Sequence, residues 1–285
     1  MSAWFDRFRK FLERASGVAL DADKLYFAES RLRSIAQARG FPSVEVLFSK
    51  LEISPDPMLQ REIVEAMLTN ETLFFRDRQP FEQFRNVILP RLMEARAARR
   101  HIRIWCAACA TGQEPYSLAM ILDEEARKLT GWRVEIVGTD LSTAAIESAR
   151  AGVYTQFEVQ RGLPINLLLR YFQRQGDAWT VQEHLRARVQ FRTFNLLSDY
   201  RALGQFDLIM CRNVLLYFDL PTRRGVLTRL AGALEPDGYM MLGAAESVVG
   251  VDNSFAPDAQ HKSIYTKTRA SQPGARPDLR VVATV

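Results

Sequence analysis

The fold is decided by one stretch of sequence, Arg103-Ile-Trp-Cys-Ala-Ala-Cys-Ala-Thr-Gly-Gln-Glu-Pro-Tyr116. It overlaps an apolar segment from Ile102 to Trp105 that reads as a buried β-strand. Very small side chains follow, and a helix is predicted to open at Pro115, because proline suits the first turn of a helix. Small side chains let a ligand approach the backbone, and the N-terminus of a helix offers free N–H groups. The pattern therefore predicts a nucleotide-type site in a parallel α/β sheet.

The same stretch lacks the common phosphate-binding motifs. It is not GxGxxG, and no Gly-Lys-Ser/Thr follows, so neither a dinucleotide nor a triphosphate is the predicted ligand. Cys106 and Cys109 form a C-x-x-C pair, which raises a metal or redox alternative. No second ligand pair accompanies them, and the predicted helix starts several residues later. We therefore expect no metal, and we interpret both cysteines as small loop residues.

Composition and charge restrict the class of protein. The 285 residues, 47% of them hydrophobic, suit one large or two smaller globular domains. No apolar run has the length of a membrane span, and the amphipathic segment 1–14 has no signal-peptide core. We therefore expect a cytoplasmic protein that does not insert into a membrane. The net charge of +5 favours an acidic partner but does not establish nucleic-acid binding.

Residues 1–95 are predicted to form an all-α domain. Its second helix carries apolar residues at spacings of three and four, and Arg31 and Arg33 flank this stripe on opposite sides. Ser43 and Asp56 are placed to cap the two helices that follow. The basic residues of the second helix suit either a solvated face or a surface that holds an acidic segment of a partner.

The segment 68–77, Leu-Thr-Asn-Glu-Thr-Leu-Phe-Phe-Arg-Asp, follows a predicted helix. Asn70 and Thr72 are poor residues for a helix interior but good hydrogen-bonding residues for a loop. Taken alone, the segment predicts a turn with its two phenylalanines in the core and Arg76 at the surface. A basic linker, 96–101, leads to the second domain.

Residues 102–269 alternate between predicted strands and helices, which indicates a parallel or mostly parallel sheet. Asp140 follows the second strand, and Asn195 and Asn213 follow later strands. Ligands of open α/β sheets bind beyond the carboxyl ends of the strands, where an acidic residue after the second strand accepts hydrogen bonds from a ribose. Capping of the next helix is the alternative role for Asp140, but Ser142 is better placed for it.

Two segments depart from this alternation. Residues from about 155 to 190 are predicted to form a small β-subdomain, with a hairpin turn at Gln175-Gly176-Asp177 and a strand over 179–181. Residues 270–285 are polar and contain glycine and two prolines, which predicts a flexible tail.

Four motifs, in this order, resemble those of the chemotaxis receptor methyltransferases, a protein-glutamate O-methyltransferase family that uses S-adenosylmethionine. They are Asn70-x-Thr72-x-x-Phe75-Arg76, Thr111-Gly-x-Glu-Pro-Tyr-Ser117, Asn195-Leu196 and Cys211-Arg-Asn-Val-x-x-Tyr-Phe-Asp219. The resemblance extends from about residue 20 to 268. It implies an α/β fold class: an adenosylmethionine-dependent methyltransferase (Rossmann-like) sheet with a small β-subdomain, preceded by an all-α N-terminal domain.

The resemblance also implies an activity, the transfer of a methyl group from S-adenosylmethionine to glutamate side chains of chemoreceptors in sensory adaptation. The product would be S-adenosylhomocysteine. Carried over by motif, the cofactor-binding residues are Asn70, Thr72, Arg76, Glu114, Asp140, Asn195, Leu196, Arg212 and Asn213. Arg76 would hold the methionyl carboxylate, and Asp140 would bind the ribose hydroxyls. No catalytic residue is assigned, because a glutamate with a pKa of about 4.3 is already ionised at neutral pH.

The implied partner is the cytoplasmic helical region of chemoreceptors, with Arg31 and Arg33 as candidate substrate-binding residues. The turn at 175–177 is short, whereas a longer, glycine-bearing turn accompanies binding of a receptor C-terminal pentapeptide in the family. We therefore expect methylation independent of such a pentapeptide, by a monomer that binds no nucleic acid. The alternatives are a module that binds S-adenosylmethionine and docks a partner without turnover, and a small-molecule methyltransferase.

Overall fold

The computed structural model describes residues 3–261 and 263–268, so the predicted tail, 270–285, lies outside the described residues. The chain begins with four helices that share one apolar core: α1 (Ala3–Ser16), α2 (Leu25–Ala38), α3 (Val44–Ile53) and α4 (Pro57–Met67). Ser43 Oγ accepts a hydrogen bond from Val46 N at 3.2 Å, and Asp56 Oδ1 accepts one from Met58 N at 2.9 Å. Both predicted helix caps are therefore confirmed.

A second helical stretch precedes the sheet. It consists of α5 (Gln79–Gln83), a π-helical turn (Phe84–Ile88) and α6 (Leu89–Ala95). Phe81 and Phe84 pack into the core of the sheet and not into the core of the first four helices. We keep the division of the chain into 1–95, 96–101 and 102–269 as a proposal.

The strands that follow in the described residues are β1 (His101–Ala107), β2 (Arg133–Asp140), β3 (Val153–Thr155), β4 (Phe172–Gln175), β5 (Ala178–Val181), β6 (Val189–Thr193), β7 (Phe206–Cys211), β8 (Leu234–Leu242), β9 (Phe255–Pro257) and β10 (Ile264–Lys267). Seven of them form one sheet in the order β6-β2-β1-β7-β8-β10-β9. The first five strands in this order pair in parallel, and β10 pairs antiparallel with β8 and β9. The predicted, mostly parallel sheet is confirmed, and its five parallel strands end at one edge.

Helices cover both faces of this sheet. The helices of this part of the chain are α7 (Gln113–Glu124), α8 (Thr143–Ala151), α9 (Gln156–Gln160), α10 (Ile165–Tyr171), α11 (Glu183–Arg186) and α12 (Leu220–Ala233). Successive residues of β1 point to opposite faces, so Ile104 packs with α7 and α8 in one core, whereas Trp105 packs with α12 in the other. No helix in these described ranges is long and apolar enough to cross a membrane.

The helix after β1 begins earlier than predicted, at Gln113 and not at Pro115. Gly112, with a φ of +93°, reverses the backbone just before it, a conformation that glycine adopts without a steric penalty. Pro115 is then the third helical residue, where its missing N–H costs no internal hydrogen bond because the first N–H groups of a helix have no partner within it. The helix ends at Glu124.

The predicted insertion with strands of its own is confirmed. It forms a three-stranded antiparallel sheet in the order β3-β5-β4, and Gly176 and Asp177 alone join β4 to β5. Gly176 has a φ of +61°, as a tight hairpin turn requires. Tyr154 of β3 is buried against Phe74, which attaches this small sheet to the segment that follows α4.

Candidate active site

A pocket opens where the parallel strands end, and its space amounts to about 990 Å³ counting the open mouth. All nine residues predicted to bind the cofactor line this pocket: Asn70, Thr72, Arg76, Glu114, Asp140, Asn195, Leu196, Arg212 and Asn213. Five separate regions of the chain therefore converge on one cavity.

The loop after β1 forms the floor of the pocket and depends on small residues. Ala108 and Ala110 have positive φ angles of 59° and 48°, which aim the backbone of the loop at the strand ends. A Cβ on Gly112 would lie 2.9 Å from the Cβ of Ala149, and a Cβ on Gly138 would lie 2.8 Å from the ring of Phe191. A side chain at either glycine would require its neighbours Ala149, Phe191 or Cys109 to shift.

Asp140 ends β2 beside this loop. Its Oδ2 accepts a hydrogen bond from Ala110 N at 2.8 Å, and its Oδ1 accepts one from Ser142 N at 2.9 Å. Ser142 caps α8 through its own side chain, as predicted, so Asp140 does not serve as that cap. Burial raises the pKa of Asp140, and the backbone N–H groups oppose that rise. Each carboxylate oxygen keeps a lone pair with which it can accept a ribose hydroxyl.

The C-x-x-C cysteines are buried beneath the pocket. Burial raises the pKa of the Cys106 and Cys109 thiols well above their ordinary value, which disfavours the thiolate that redox or metal chemistry requires. No cluster of three or more metal-ligating side chains occurs among the described residues. The interpretation of both cysteines as small packing residues agrees with this environment.

A buried ion pair crosses the far side of the pocket. Arg212 Nη1 donates to Glu114 Oε2 at 2.9 Å, and Arg212 Nη2 donates to Asp77 Oδ2 at 2.7 Å and to the carbonyl of Arg76 at 3.0 Å. Burial raises the pKa of Glu114, although Arg212 opposes the rise. Arg212 and Glu114, both predicted cofactor residues, thus contact each other. Arg212 also contacts the segment that carries Arg76, a third predicted cofactor residue. Arg212 Nε is buried and has no hydrogen-bond partner among the described residues.

The segment 70–78 is the part of the pocket that the N-terminal region supplies. Phe74 is buried, as predicted, and Phe75, Asp77 and Arg78 have positive φ angles of 51°, 68° and 48°. Such conformations are unfavourable for these residue types and persist only when neighbouring groups impose them. Here Ser117 Oγ accepts a hydrogen bond from Phe75 N at 3.0 Å, and Arg212 holds the next two residues. The turn presents Arg76 to the pocket.

Asn195 has a use that the sequence did not predict. Its Nδ2 donates to the carbonyl of Ala15 at 2.7 Å, and its Oδ1 accepts from Leu197 N at 2.9 Å. The side chain therefore fastens the end of α1 to the rim of the sheet. One amide N–H and one lone pair of the amide oxygen of Asn195 are left for a ligand.

The residues that follow α1 form part of the pocket wall. Ser16 and Val18 line the cavity, and Ala19 N donates to the carbonyl of Tyr217 at 2.8 Å. Val18 also forms an isolated antiparallel bridge with Phe218. The N-terminal helices thus close a pocket whose other walls belong to the sheet.

Glu246, in the loop after β8, is a site residue that sequence reasoning missed. It is buried, and its carboxylate accepts hydrogen bonds from backbone N–H groups of the Asn213–Leu216 loop. An acidic residue just beyond a strand that adjoins β7 was a usable signal, because that strand ends at the same edge as the others. Its partners are backbone groups, which leave no trace in a sequence motif.

Arg31 and Arg33, the candidate substrate-binding residues, do not line the pocket. Both are exposed on α2. Arg31 lies over the ring of Phe27 and donates to the carbonyl of Ala66 at 3.5 Å, one residue before the pocket-lining Met67. Residues two apart on a helix lie on different faces, so the two arginines are not equivalent.

The comparisons with known proteins agree with this architecture. Residues 3–68 match the family described as "CheR methyltransferase, all-alpha domain", and residues 70–264 match "CheR methyltransferase, SAM binding domain". The fold and the pocket thus define an S-adenosylmethionine-dependent methyltransferase, and S-adenosylmethionine is its cofactor. The chain belongs to the CheR methyltransferase family, which confirms the family and the cofactor predicted from the motifs.

Similar proteins span nearly the same length. The chain is 40% identical over 255 residues to "Chemotaxis protein methyltransferase Cher2" of Pseudomonas putida, covering 88% of this chain and 92% of the relative. It is 43% identical over 258 residues to "Chemotaxis protein methyltransferase 1" of Pseudomonas aeruginosa, covering 89% and 93%. A "Chemotaxis protein methyltransferase" of Vibrio parahaemolyticus is 38% identical over 251 residues, covering 87% and 90%.

The residues around the pocket fit this cofactor. Arg76 offers positive charge for a carboxylate, and Asp140 offers acceptor atoms for ribose hydroxyls. The small-residue floor admits a flat adenosyl group close to the backbone. No contact in this set requires a phosphate, which agrees with the missing phosphate-binding motifs.

Proposed function

We propose that the chain transfers the methyl group of S-adenosylmethionine to glutamate side chains in the cytoplasmic helical region of chemoreceptors, forming glutamate methyl esters. The observation that carries this proposal is the match along nearly the whole chain to proteins named chemotaxis protein methyltransferases. The pocket adds a chemical reason to favour a carboxylate acceptor over an amine or a hydroxyl.

That reason is the state of the ionisable residues around the pocket. An amine or hydroxyl acceptor must lose a proton, which calls for a general base within reach. No histidine lines the pocket in the described ranges. Glu114 is paired with Arg212, and the ion pair of Glu71 with Arg161 lowers the pKa of Glu71. A glutamate acceptor is already ionised at neutral pH, with a pKa of about 4.3, and needs no base.

The residues of the chain would hold the reactants in place. S-adenosylmethionine supplies an electrophilic methyl group on a sulfonium. Asp140 would accept the ribose hydroxyls, and Arg76 would hold the methionyl carboxylate by charge-assisted hydrogen bonds. Tyr217 lines the pocket and is 36% exposed, so it is the residue we assign to orienting the incoming carboxylate. Alignment and partial exclusion of water account for the catalysis.

The receptor helix would meet the exposed face that α2 presents beside the pocket. Of the basic residues there, Arg39 is paired with Glu62 at 2.7 Å and Lys24 with Asp23 at 3.6 Å, which leaves Arg31 and Arg33 as the cations for an acidic partner. Because they lie on different sides of α2, single substitutions should differ. We expect Arg31→Ala, nearer to the pocket, to lower receptor methylation more than Arg33→Ala, with unchanged binding of S-adenosylhomocysteine. Equal and normal methylation by both variants would refute this surface.

The direct test of the function uses tritiated S-adenosylmethionine and membranes that contain chemoreceptors. Label that base treatment releases as methanol demonstrates methyl esters, and no release is expected with RNA or small acids as acceptors. Binding of the cofactor without transfer would instead favour a partner-docking module. Label on a small acid alone would favour a small-molecule methyltransferase.

Independence from a receptor C-terminal pentapeptide is also part of this proposal. The joint between β4 and β5 consists of Gly176 and Asp177 alone, which supports it. Receptors with and without their last residues should be methylated at the same rate. A rate that falls when those residues are removed would contradict this part of the proposal and leave the rest intact.

A further inference from the structure

The carboxylate of Glu246 has an unusual set of partners. Its Oε1 accepts from Val214 N at 2.9 Å, Leu215 N at 2.7 Å and Leu216 N at 3.3 Å. Its Oε2 accepts from Asn213 N at 2.7 Å and from Gly243 N at 2.8 Å. Hydrogen bonds to an ionised acceptor are stronger than neutral ones, and here they all end on one side chain.

None of the ion pairs in the described residues includes Glu246, so its charge is balanced by backbone dipoles alone. Leu215 starts a short 3₁₀ helix that runs to Tyr217, and the first N–H groups of such a turn have no internal partner. Glu246 supplies that partner from the loop after β8. The carboxylate thereby fixes the loop after β7 to the loop after β8.

The opposite side of the fixed loop is the wall of the cofactor pocket. Asn213, Val214, Tyr217 and Phe218 all line the cavity, and Asn213 has a positive φ of 59°. The carbonyl of Tyr217 also accepts the hydrogen bond from Ala19, which holds the segment after α1 over the pocket. A displacement of this loop would therefore move two walls of the pocket together.

Gly243 provides an independent indication that this contact is tightly built. A Cβ at this position would lie 2.7 Å from Glu246 Oε2 and 2.9 Å from both Asn213 N and Asn213 Nδ2. Neither the carboxylate nor the backbone of the loop could remain in place beside such an atom. Glycine is thus required here by close approach.

From these contacts we propose that Glu246 is a positioning residue, which sets the affinity for the cofactor by fixing the Asn213–Phe218 wall of the pocket. It acts through the loop and touches no reactant. The inference deepens the cofactor site on which the proposed function rests. It does not depend on the identity of the methyl acceptor, and this allows the two to be tested separately.

The test measures the Kd of S-adenosylhomocysteine by calorimetry for the whole chain and for Glu246→Gln, Gly243→Ala and Asp207→Asn. The Gln amide keeps the volume but turns an acceptor into a donor that faces N–H groups. We expect Glu246→Gln and Gly243→Ala to raise Kd by about tenfold or more, as the loss of charge-assisted hydrogen bonds predicts. Amide hydrogen exchange at Val214–Leu216 should accelerate in both variants.

Asp207→Asn is the matched control, because Asp207 is a buried carboxylate at the other end of β7. It should lower the thermal stability and leave both Kd and hydrogen exchange in the loop unchanged. Should Glu246→Gln fail to fold, Gly243→Ala carries the test from the other side of the contact. Unchanged Kd in the folded variants, or an equal loss in Asp207→Asn, would overturn the inference. If the unaltered chain binds S-adenosylhomocysteine tightly but does not methylate receptors, the proposed function is refuted. The role of Glu246 in cofactor binding is not affected by that result.

Discussion

Buried carboxylates have different hydrogen-bond partners at the two ends of the parallel sheet. At the amino end, Asp207 accepts from Arg96 Nε at 2.6 Å, from Arg99 Nη2 at 2.7 Å and from Arg103 N at 2.7 Å. At the carboxyl end, Asp140 and Glu246 accept from backbone N–H groups, and the described residues contain no ion pair for either. Arginines close the first end, whereas the second keeps acceptor atoms for a ligand.

This difference shows how one sheet combines stability with a binding site. A carboxylate that arginines neutralise has little left to offer a ligand, and breaking such a buried pair leaves uncompensated charge. A carboxylate held by backbone N–H groups is fixed in position without a side-chain cation, so it can still bind hydroxyl groups. Substitutions at the two ends should therefore separate stability from binding.

Asp207→Ala should produce the largest effect. It leaves Arg96, which is buried, beside Asp237 alone, and removal of one member of a buried ion pair costs about 3–5 kcal/mol. Chemical denaturation should therefore show that the free energy of unfolding is lower by about 3–5 kcal/mol. The Kd of S-adenosylhomocysteine should not change in the protein that stays folded, and a large change in Kd would remove the distinction between the two ends.

Asp140→Ala should have the next largest effect, and on binding. Loss of the ribose acceptor, together with the hydrogen bonds that order Ala110, is expected to raise the Kd of S-adenosylhomocysteine by about 30-fold or more. Calorimetry measures this directly, and Glu147→Ala, an exposed carboxylate on α8, serves as control. An affinity that survives the change would eliminate the ribose assignment.

The Arg212 contacts should give a smaller effect with a diagnostic pattern. Arg212→Gln and Asp77→Asn each loosen the segment that carries Arg76, and each should raise the Kd of the cofactor product by about fivefold to tenfold. If Arg212 acts through this segment, the double variant should be no worse than the stronger single variant. Fully additive losses would show instead that Arg212 binds the cofactor by itself.

Mild acid should have the smallest effect, with opposite signs at the two ends. Arg96 lowers the pKa of Asp237, so the stabilising contribution of Asp237 is present above its unfolded-state pKa and is lost as the pH falls through its lower, folded-state pKa. Burial raises the pKa of Asp140, so its contribution to stability is largest below the unfolded-state pKa and is lost as the pH rises through the folded-state pKa.

The pH dependence of S-adenosylhomocysteine binding should follow the charge of Asp140 and not the stability of the folded protein. Because the ionised form accepts the ribose hydroxyls, affinity for S-adenosylhomocysteine should start to fall, on acidification from pH 7, at a pH above the ordinary aspartate range. Parallel titrations of Kd and of thermal stability check this. A Kd that stays constant until the protein unfolds would count against an ionised Asp140 as the ligand.

Sequence patterns predicted the features that depend on local chemistry. The alternating strands, the caps at Ser43 and Ser142 and the position of Asp140 at the end of β2 each follow from residue type and spacing, and the structure contains them. The start of α7 was misplaced because Gly112, and not Pro115, sets it. Periodicity alone cannot show where a reversed backbone begins a helix.

The missed features depend on contacts between distant parts of the chain. Glu246 binds backbone atoms 30 or more residues away, and Asn195 binds the carbonyl of Ala15, 180 residues away. Arg212 was predicted as a cofactor residue by motif, yet its pairing with Glu114 and Asp77 follows only from how α7 and the segment 70–78 lie against the end of β7. No single-sequence pattern encodes such pairs.

The part of the pocket wall formed by Ser16 and Val18 has a consequence for how this architecture can evolve. A gene segment that encodes the sheet from about residue 70 onward would carry every strand but an incomplete pocket, because part of the wall belongs to the chain before it. Recombination that exchanged the N-terminal helices would therefore also exchange part of the cofactor site. A new N-terminal unit can complete the cofactor site only if it again donates a hydrogen bond to the carbonyl of Tyr217. It must also provide a surface that binds its own substrate.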